Sequence, residues 1–181
     1  MLRFILFGLA LVALVAAIAI PIVRAAFQRR TGFALGRIPD ATVIASDVGI
    51  GAPLTLRDDE LGLCGKPDYL LASTIGGELV PLEVKPRRRS ARLYDSDRIQ
   101  VGAYLLALRA TADDRASKVG YVRYQTGTFE VELTASLEKE IRSLVVSLRR
   151  ARRAAVVRRS HHSAARCRAC PVRHHCDDAL L

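Results

Sequence analysis

Asp68, Glu83 and Lys85 have the residue types and the spacing for chemistry on a phosphate group. Carboxylates supply the hard oxygen ligands that Mg²⁺ and Mn²⁺ prefer, and an ammonium group beside them can orient a water molecule or neutralise developing phosphate charge. Glu83 and Lys85 are two residues apart, so they project from one face if this segment is a β-strand. Together the three side chains predict a metal site that cleaves phosphodiester bonds.

The residues around this trio predict a β-hairpin. Two apolar, β-rich segments at 69–73 and 79–84 are joined through a glycine pair at 76–77, and such a pair tolerates the positive φ angles of a tight turn. Asp68 enters the first strand, and Glu83 lies near the end of the second. We therefore expect an antiparallel pairing to bring the two carboxylates side by side.

A helix is predicted to follow the hairpin, capped by Asp95 or Ser96 and running to about Thr111. Gln100 and Tyr104 are four residues apart, so they lie one above the other on one face of that helix, and both can form hydrogen bonds. Apolar residues recur at helical spacing and should be buried at Ile99, Ala103, Leu106 and Ala110.

Further strands and a second helix complete a mixed α/β pattern. Strands are predicted at 42–47, 118–124 and 128–133, and the last of these alternates apolar and polar residues, which indicates one covered and one exposed face. A helical pattern extends from residue 135 to about 157, with apolar residues spaced for burial at Leu137, Ile141, Leu144, Val145 and Leu148.

In this order along the chain, Gly65-x-Pro67-Asp68, Glu83-Val84-Lys85 and Gln100-x-x-x-Tyr104 resemble the motifs of the PD-(D/E)XK nuclease superfamily, and within it the RecB-like exonucleases of the CRISPR-associated type. The resemblance covers the chain from about Leu61 to the C-terminus. It implies an α/β fold with a restriction-endonuclease-like mixed central sheet flanked by helices. It also implies Mg²⁺ or Mn²⁺ held by Asp68 and Glu83, single- or double-stranded DNA as the substrate, and protein partners in CRISPR or DNA-repair systems.

The resemblance gives the remaining side chains their roles. Lys85 would orient the attacking water or stabilise the transition state, while Gln100 and Tyr104 would position the substrate or a bound water. The relatives usually carry a further metal-site residue, commonly a histidine, before the first motif, but no histidine occurs in residues 1–160 of this chain. Either Asp47 or Glu60 takes its place, or the site works with fewer protein ligands, and the sequence does not decide among these alternatives.

Arginine is concentrated in two segments of the predicted domain. Arg87, Arg88 and Arg89 directly follow the strand of Glu83, where they would either form a solvated loop or bind the phosphates that flank the scissile bond. A second group lies near the end of the second helix, at Arg149, Arg150, Arg152, Arg153, Arg158 and Arg159. With a net charge of +10 and a pI near 10.1, the chain is expected to bind a polyanion, either nucleic acid or an acidic membrane surface.

Residues 4–23 form an uncharged apolar run, which as a helix would rise roughly 30 Å and span a bilayer. A cleavable signal peptide is the alternative, but this run is longer than the usual apolar core of such a peptide, and most of the nearby positive charge follows it. By the positive-inside rule, the domain after the helix stays in the cytoplasm. We therefore expect a single-pass membrane protein whose catalytic domain faces the cytoplasm.

The C-terminal segment carries Cys167-x-x-Cys170-x5-Cys176, a spacing that lets thiolates converge on one metal centre. In the exonucleases that the chain resembles, three such cysteines and a fourth from upstream hold a 4Fe-4S cluster, and Cys64 is the only upstream cysteine here. Cys64 could instead be a small buried apolar residue. In that case a histidine would complete a Cys₃His zinc site, with the candidates being His161, His162, His174 and His175.

The predicted organisation is a transmembrane anchor at 1–23, a basic linker at 24–41, a nuclease-like core at 42–159 and a cysteine-rich metal-binding tail at 160–181. The expected activity is metal-dependent hydrolysis of DNA. Two alternatives stay open. One is a nucleic-acid-binding module of the same fold without catalysis, and the other is an adaptor that places its arginines on an acidic membrane surface.

Overall fold

The computed structural model describes residues 41–47 and 55–180, and the chain divides into two compact units, Met1–Ile141 and Arg142–Leu181. In the first unit the described elements are β1 (Ala41–Ser46), β2 (Leu56–Asp58), β3 (Leu63–Gly65), β4 (Tyr69–Ser73), β5 (Leu79–Lys85), α1 (Asp95–Ala112), a 3₁₀ turn (Asp113–Arg115), β6 (Val119–Tyr124) and β7 (Thr128–Glu132). Helix α2 (Ala135–Arg153) begins in this unit and ends in the second, which also contains α3 (Ala164–Arg168) and a 3₁₀ turn (Arg173–His175).

Five of the described strands form one mixed sheet, in the order β1-β4-β5-β6-β7. The β1–β4, β4–β5 and β6–β7 pairs are antiparallel, whereas β5 and β6 are parallel. Parallel neighbours need a crossover connection, and α1, which contacts both strands, supplies it. The prediction of a mixed α/β fold with a central sheet and helices is therefore confirmed.

The predicted hairpin forms, and its turn contains the glycine pair. Gly76 and Gly77 have φ angles of 95° and 69°, a backbone region that residues with a side chain rarely adopt. The turn is closed by main-chain bonds from Ser73 N to Glu78 O (2.8 Å) and from Gly77 N to Ser73 O (3.1 Å). The local sequence thus determines where β4 ends and β5 begins.

Helix α1 is buried on more than one side, which the single predicted apolar stripe does not anticipate. The sheet covers one side of the helix, and the short β2–β3 hairpin contacts it as well. As a result Val101, Leu105 and Leu108 are buried in addition to the predicted Leu106, whereas Ala110 is exposed. The prediction of the buried stripe was therefore wrong in part, because it assumed one covered face.

The start of α1 also differs from the prediction. Neither Asp95 nor Ser96 caps the helix, because its N-cap residue is Tyr94, which forms no side-chain cap bond. The carbonyl oxygen of Tyr94 accepts hydrogen bonds from the N–H groups of Asp97 and Arg98, each at 3.0 Å. The main chain of Tyr94 is thereby fixed at the helix start, while the residue stays 48% exposed.

Strands β1, β6 and β7 lie within one residue of their predicted ends. In β7, Val131 is buried while Glu130 and Glu132 are exposed, as the alternating sequence predicts. Phe129 and Leu133 pack against the same buried core. The alternation thus identified the covered face of this edge strand correctly.

Helix α2 ends at Arg153 rather than near residue 157. Its first part buries Leu137 and Ile141, as predicted. Leu144 and Leu148, which were expected to be buried, are 39% and 63% exposed. The buried part of the helix is therefore confined to its first two turns.

The predicted anchor at 1–23 and residues 24–40 of the predicted linker lie outside the described residues. Within residues 41–47 and 55–180, no helix is both long enough and apolar enough to cross a membrane. The boundaries predicted for the core at 42–159 and for the tail at 160–181 stay predictions.

Candidate active site

The pairing of β4 with β5 places Asp68 opposite Glu83. Tyr69 pairs with Leu82, so the next position along the two strands joins the carboxylate residues. The Asp68 Oδ2 atom accepts a hydrogen bond of 2.7 Å from the main-chain N–H of Val84. This bond fixes the Asp68 carboxylate across the end of β5, beside Glu83.

Glu83 is buried, with 5% of its surface exposed. Its Oε1 atom accepts hydrogen bonds from Lys85 Nζ at 2.6 Å and from Gln100 Nε2 at 2.9 Å. Its Oε2 atom is also buried but has no hydrogen-bond partner among the described residues. A buried carboxylate oxygen without a partner is costly, so this atom marks a place for a ligand such as a cation.

Gln100 and Tyr104 lie on one face of α1, as predicted, and link that helix to the carboxylates. Gln100 Nε2 donates to the Tyr104 hydroxyl at 2.7 Å, and this hydroxyl donates to the carbonyl of Lys66 at 3.1 Å. Burial raises the pKa of Tyr104 to about 12, with the hydrogen bond from Gln100 opposing the shift and the negative charges of Glu83 and Asp68 adding to it. Tyr104 is therefore a neutral hydrogen-bond donor near neutral pH.

Gly65, the first residue of the first motif, lies against the ring of Tyr104. A Cβ atom at this position would lie 2.6 Å from Tyr104 Cε1 and 2.9 Å from Tyr104 Cδ1. Both distances are shorter than a real carbon–carbon contact, so only glycine lets the ring pack here. The glycine of the first motif and the tyrosine of the third thus form one packing contact.

The structure places Asp47, one of the two candidates for the missing histidine, opposite Asp68 at the end of the β1–β4 pairing. Ser46 pairs with Tyr69, so Asp47 lies across from Asp68, and its main-chain N–H bonds to the Asp68 carbonyl at 3.1 Å. Residues directly opposite on antiparallel strands share a face of the sheet. The Asp47 carboxylate lies 4.0 Å from the ammonium group of Lys66.

Glu60, the other candidate, lies in the turn between β2 and β3. In the same hairpin, the carbonyl of Arg57 accepts a hydrogen bond of 3.0 Å from Thr111 Oγ1. Thr111 is about two helical turns, or ~10 Å, beyond Tyr104 along α1. This end of the hairpin is therefore remote from Asp68, and its position favours Asp47 as the third carboxylate.

The donor set suits a hard divalent cation. It consists of carboxylate oxygens, one of them buried and without a partner, which is the ligand type that Mg²⁺ and Mn²⁺ prefer. Within residues 41–47 and 55–180, no group of three or more histidine, cysteine, aspartate or glutamate side chains is close enough to hold a metal ion. The candidate centre therefore has a core of two carboxylates, Asp68 and Glu83, and Asp47 lies opposite Asp68 without forming a three-carboxylate group with them.

The three arginines after β5 have different surroundings. Arg88 Nη1 forms an ion pair of 2.6 Å with Asp97 Oδ2, whose residue is 3% exposed. Arg89 Nε donates to Gln125 Oε1, and Arg87 is exposed. Arg88 is thus bound to the protein's own carboxylate, so Arg87 and Arg89 are better placed than Arg88 to bind a phosphate.

Sequence reasoning did not identify the residues that hold Arg88. The Tyr124 hydroxyl donates to Asp97 Oδ2 and accepts a bond of 3.1 Å from the N–H of Tyr94, and the Arg88 guanidinium lies 4.8 Å from the centre of the Tyr94 ring. Lys85 and Tyr124 are neighbours in the parallel pair of β5 and β6, so the polar residues at the carboxyl ends of both strands meet at one edge. That meeting of strand ends is the signal that could have indicated this cluster.

In the second unit, three thiols and one imidazole line a cavity of about 240 Å³: Cys167, Cys170, Cys176 and His161. The three cysteines have free thiols, and Cys167 Sγ accepts a hydrogen bond of 3.4 Å from the N–H of Leu180. Cys64, the predicted fourth ligand, lies on β3 of the first unit and is exposed rather than buried. The other candidate zinc ligands, His162, His174 and His175, are exposed.

Comparison with known proteins gives a family match. A sequence model described as the PD-(D/E)XK nuclease superfamily matches residues 16–177. No curated protein matches the chain. Among solved structures, the chain is similar to the crystal structure of SSO0001, with a TM-score of 0.47 and 15% sequence identity over 99% of this chain and 79% of that chain.

Proposed function

Because the chain belongs to the PD-(D/E)XK nuclease superfamily, we propose that its first unit is a metal-dependent nuclease that hydrolyses phosphodiester bonds in DNA. Members of this superfamily are usually metal-dependent nucleases, generally with Mg²⁺ or Mn²⁺. The observation that carries the proposal is the Glu83 Oε2 atom, which is buried and has no partner among the described residues, beside the carboxylate of Asp68.

The carboxylates are oriented by the fold before any ligand arrives. The N–H of Val84 holds the Asp68 carboxylate, and the side-chain amide of Gln100 holds the Glu83 carboxylate. A third carboxylate would come from Asp47, opposite Asp68, with a turn of its side chain toward the ion. A divalent ion bound there would lower the pKa of the attacking water and offset the negative charge that develops on the leaving oxygen.

Lys85 is the residue that we propose acts on the reacting phosphate. Its Nζ atom lies 2.6 Å from Glu83 Oε1, and its side chain is 27% exposed, so the ammonium group connects the buried carboxylate with open solvent. From this position it donates a hydrogen bond to the attacking water or to a phosphate oxygen, and it stabilises the negative charge of the transition state. Gln100 and Tyr104 position Glu83 and the loop before β4, respectively.

The finer parts of the proposal rest on the sequence. The ordered motifs support the RecB-like, CRISPR-associated type, with partners in CRISPR or DNA-repair systems. The net charge of +10 supports a polyanionic substrate. The apolar run at 4–23 and the arginines that follow it support a single-pass anchor with the nuclease on the cytoplasmic side.

We also propose a metal centre in the C-terminal tail, either a 4Fe-4S cluster or a structural zinc ion. Cys167, Cys170 and Cys176 line a single cavity, and thiolates are the ligands that both centres use. His161 on the same cavity supports a Cys₃His zinc site, whereas the cluster, with Cys64 as its fourth ligand, is supported by the resemblance to the exonucleases alone. Either centre would stabilise the tail.

The test is cleavage of labelled single- and double-stranded DNA by the purified full chain with Mg²⁺, with Mn²⁺ and with a chelator. Glu83→Gln and Asp68→Asn keep the side-chain size but remove the anionic ligand, so cleavage should fall by orders of magnitude. Glu132→Gln removes an exposed carboxylate of β7 and is the matched control. Cleavage that survives Glu83→Gln, or that proceeds in the chelator, would contradict the proposal.

Lys85→Ala separates the chemical step from metal binding. Mn²⁺ affinity should be retained because the carboxylates remain, while the single-turnover rate falls because the transition state loses a positive charge. A wild-type chain that binds DNA equally well with and without metal, and that degrades neither single-stranded nor double-stranded DNA, would instead be a binding module without catalysis.

A further inference from the structure

A second feature lies next to the candidate active site, and it is an open pocket of about 620 Å³. Its volume is within the roughly 300–1,000 Å³ that is typical of small-molecule sites. Six residues line it: Lys85, Pro86, Arg87, Arg88, Arg89 and Tyr94. Because Lys85 lines this pocket and also contacts Glu83, the pocket begins where the proposed cleavage site ends.

The ring of Tyr94 is supported from within the protein. The Arg88 guanidinium lies 4.8 Å from the centre of this ring, and the ring of Tyr124 lies 6.1 Å from it. Arg88 is in turn held by its ion pair with the buried Asp97. With its main chain fixed at the start of α1, Tyr94 is thus a positioned aromatic surface that is 48% exposed.

The charges around the ring suit a polyanion. Arg87 and Arg89 are exposed, and the ammonium group of Lys85 lies at the active-site end of the pocket. An aromatic ring flanked by cations is the arrangement with which proteins bind single-stranded nucleic acid, because the ring stacks on a base while the cations bind the backbone. A base inside a duplex is already stacked on its neighbours and does not present its face to a side chain.

We propose that Tyr94 stacks on an unpaired base of single-stranded DNA, adjacent to the phosphate that lies at Lys85, and that Arg88 supports this ring instead of binding phosphate. This inference rests on the proposed function, since it names the strand state and one subsite of the same active site. Replacing a stacking aromatic residue costs about 1–3 kcal/mol per base, so binding should weaken by about 5- to 150-fold.

The experiment measures binding of a fluorescent oligothymidine to the full chain by anisotropy in a chelator, where no cleavage takes place. Tyr94→Leu should weaken binding by about fivefold or more, and Tyr94→Phe, which keeps the ring, should bind like wild type. The matched control is Tyr121→Leu, which alters a tyrosine in the cluster on the other face of the sheet. Circular dichroism spectra of the variants confirm that they are folded.

An oligomer of the same length and charge that lacks its bases identifies stacking. Wild type and Tyr94→Leu should bind this abasic strand equally. Equal weakening on both oligomers, no weakening on oligothymidine, or no binding of single-stranded DNA by the wild type would overturn the inference. If the wild type cleaves DNA and Tyr94→Leu binds oligothymidine like the wild type, the stacking role is wrong and the nuclease proposal stands. If Tyr94→Leu weakens binding as expected but the wild type cleaves no DNA, the nuclease proposal is wrong and the stacking site stands.

Discussion

Gly65→Ala tests the contact that joins the first and third motifs. The added Cβ atom would lie 2.6 Å from Tyr104 Cε1, whereas ordinary contacts begin near 3.4 Å, so the ring must move by close to an ångström. Tyr104 is 8% exposed and has little room for such a movement. Gly65 has no positive φ angle, so alanine meets no backbone strain at this position and the ring is the only obstacle.

The expected cost follows from packing. Adding a methyl group to a well-packed site costs about 1–3 kcal/mol. For a chain of this size that lowers the melting temperature by roughly 2–12 °C. A shifted ring would also carry the Tyr104 hydroxyl away from Gln100 and from the Lys66 carbonyl, so the rate of cleavage should fall together with stability.

Thermal unfolding of four variants measures the effect. Gly127→Ala is the matched control, because a Cβ atom at Gly127 meets nothing within 4 Å. Tyr104→Leu removes the ring, so the double variant with Gly65→Ala should be more stable than the sum of the two single changes predicts, by about 0.5 kcal/mol or more. Strictly additive effects, or a Gly65→Ala protein as stable as the Gly127→Ala control, would refute the reasoning.

Three other predictions concern the site and the tail. Asp47→Asn should weaken Mn²⁺ binding in titration calorimetry, whereas Glu60→Gln should leave it unchanged, and equal effects of the two changes would contradict the placement of the third carboxylate. Burial raises the pKa of Tyr104 from 10 to about 12, so the unfolded chain releases the hydroxyl proton at a lower pH than the folded chain does. The free energy of unfolding should therefore decrease as the pH rises from 10 to about 12. In thermal unfolding, Tyr104→Phe should reduce this decrease. If the tail holds a 4Fe-4S cluster, anaerobically purified protein should be brown, and the Cys167→Ser variant should be colourless. A colourless wild type that contains zinc, together with a His161→Ala variant that contains none, would show the Cys₃His centre instead.

The parts of the fold that the sequence predicted are those whose signals are local. The Gly-Gly pair at 76–77 ends β4 and starts β5, and the alternation from residue 128 onward marks the covered face of β7. The β2–β3 hairpin was missed because its strands, Leu56–Asp58 and Leu63–Gly65, are three residues each and too short for an alternation to be read. That omission also explains why the burial of α1 was underestimated.

The candidate site divides in the same way. Asp68 and Glu83 could be paired from the sequence because one turn joins their strands. Asp47 could not be chosen over Glu60, since its position depends on the pairing of β1 with β4, which are separated in sequence by the β2–β3 hairpin. The ion pair between Arg88 and Asp97 likewise could not be predicted from the sequence, because the start of α1 and the parallel pairing of β5 with β6 bring the two residues together.

Helix α1 joins the two halves of the proposed site, since Gln100 contacts Glu83 while Asp97, one turn earlier, holds Arg88 behind the Tyr94 ring. The distance between this helix and the sheet is therefore a determinant of both halves. A Cβ atom at Gly120 would lie 2.6 Å from Val101 Cγ1 and 3.2 Å from the carbonyl oxygen of Pro81, so the absence of a side chain on β6 is what lets α1 lie this close. A residue that carries no chemistry thus sets the depth at which Gln100 reaches the buried carboxylate.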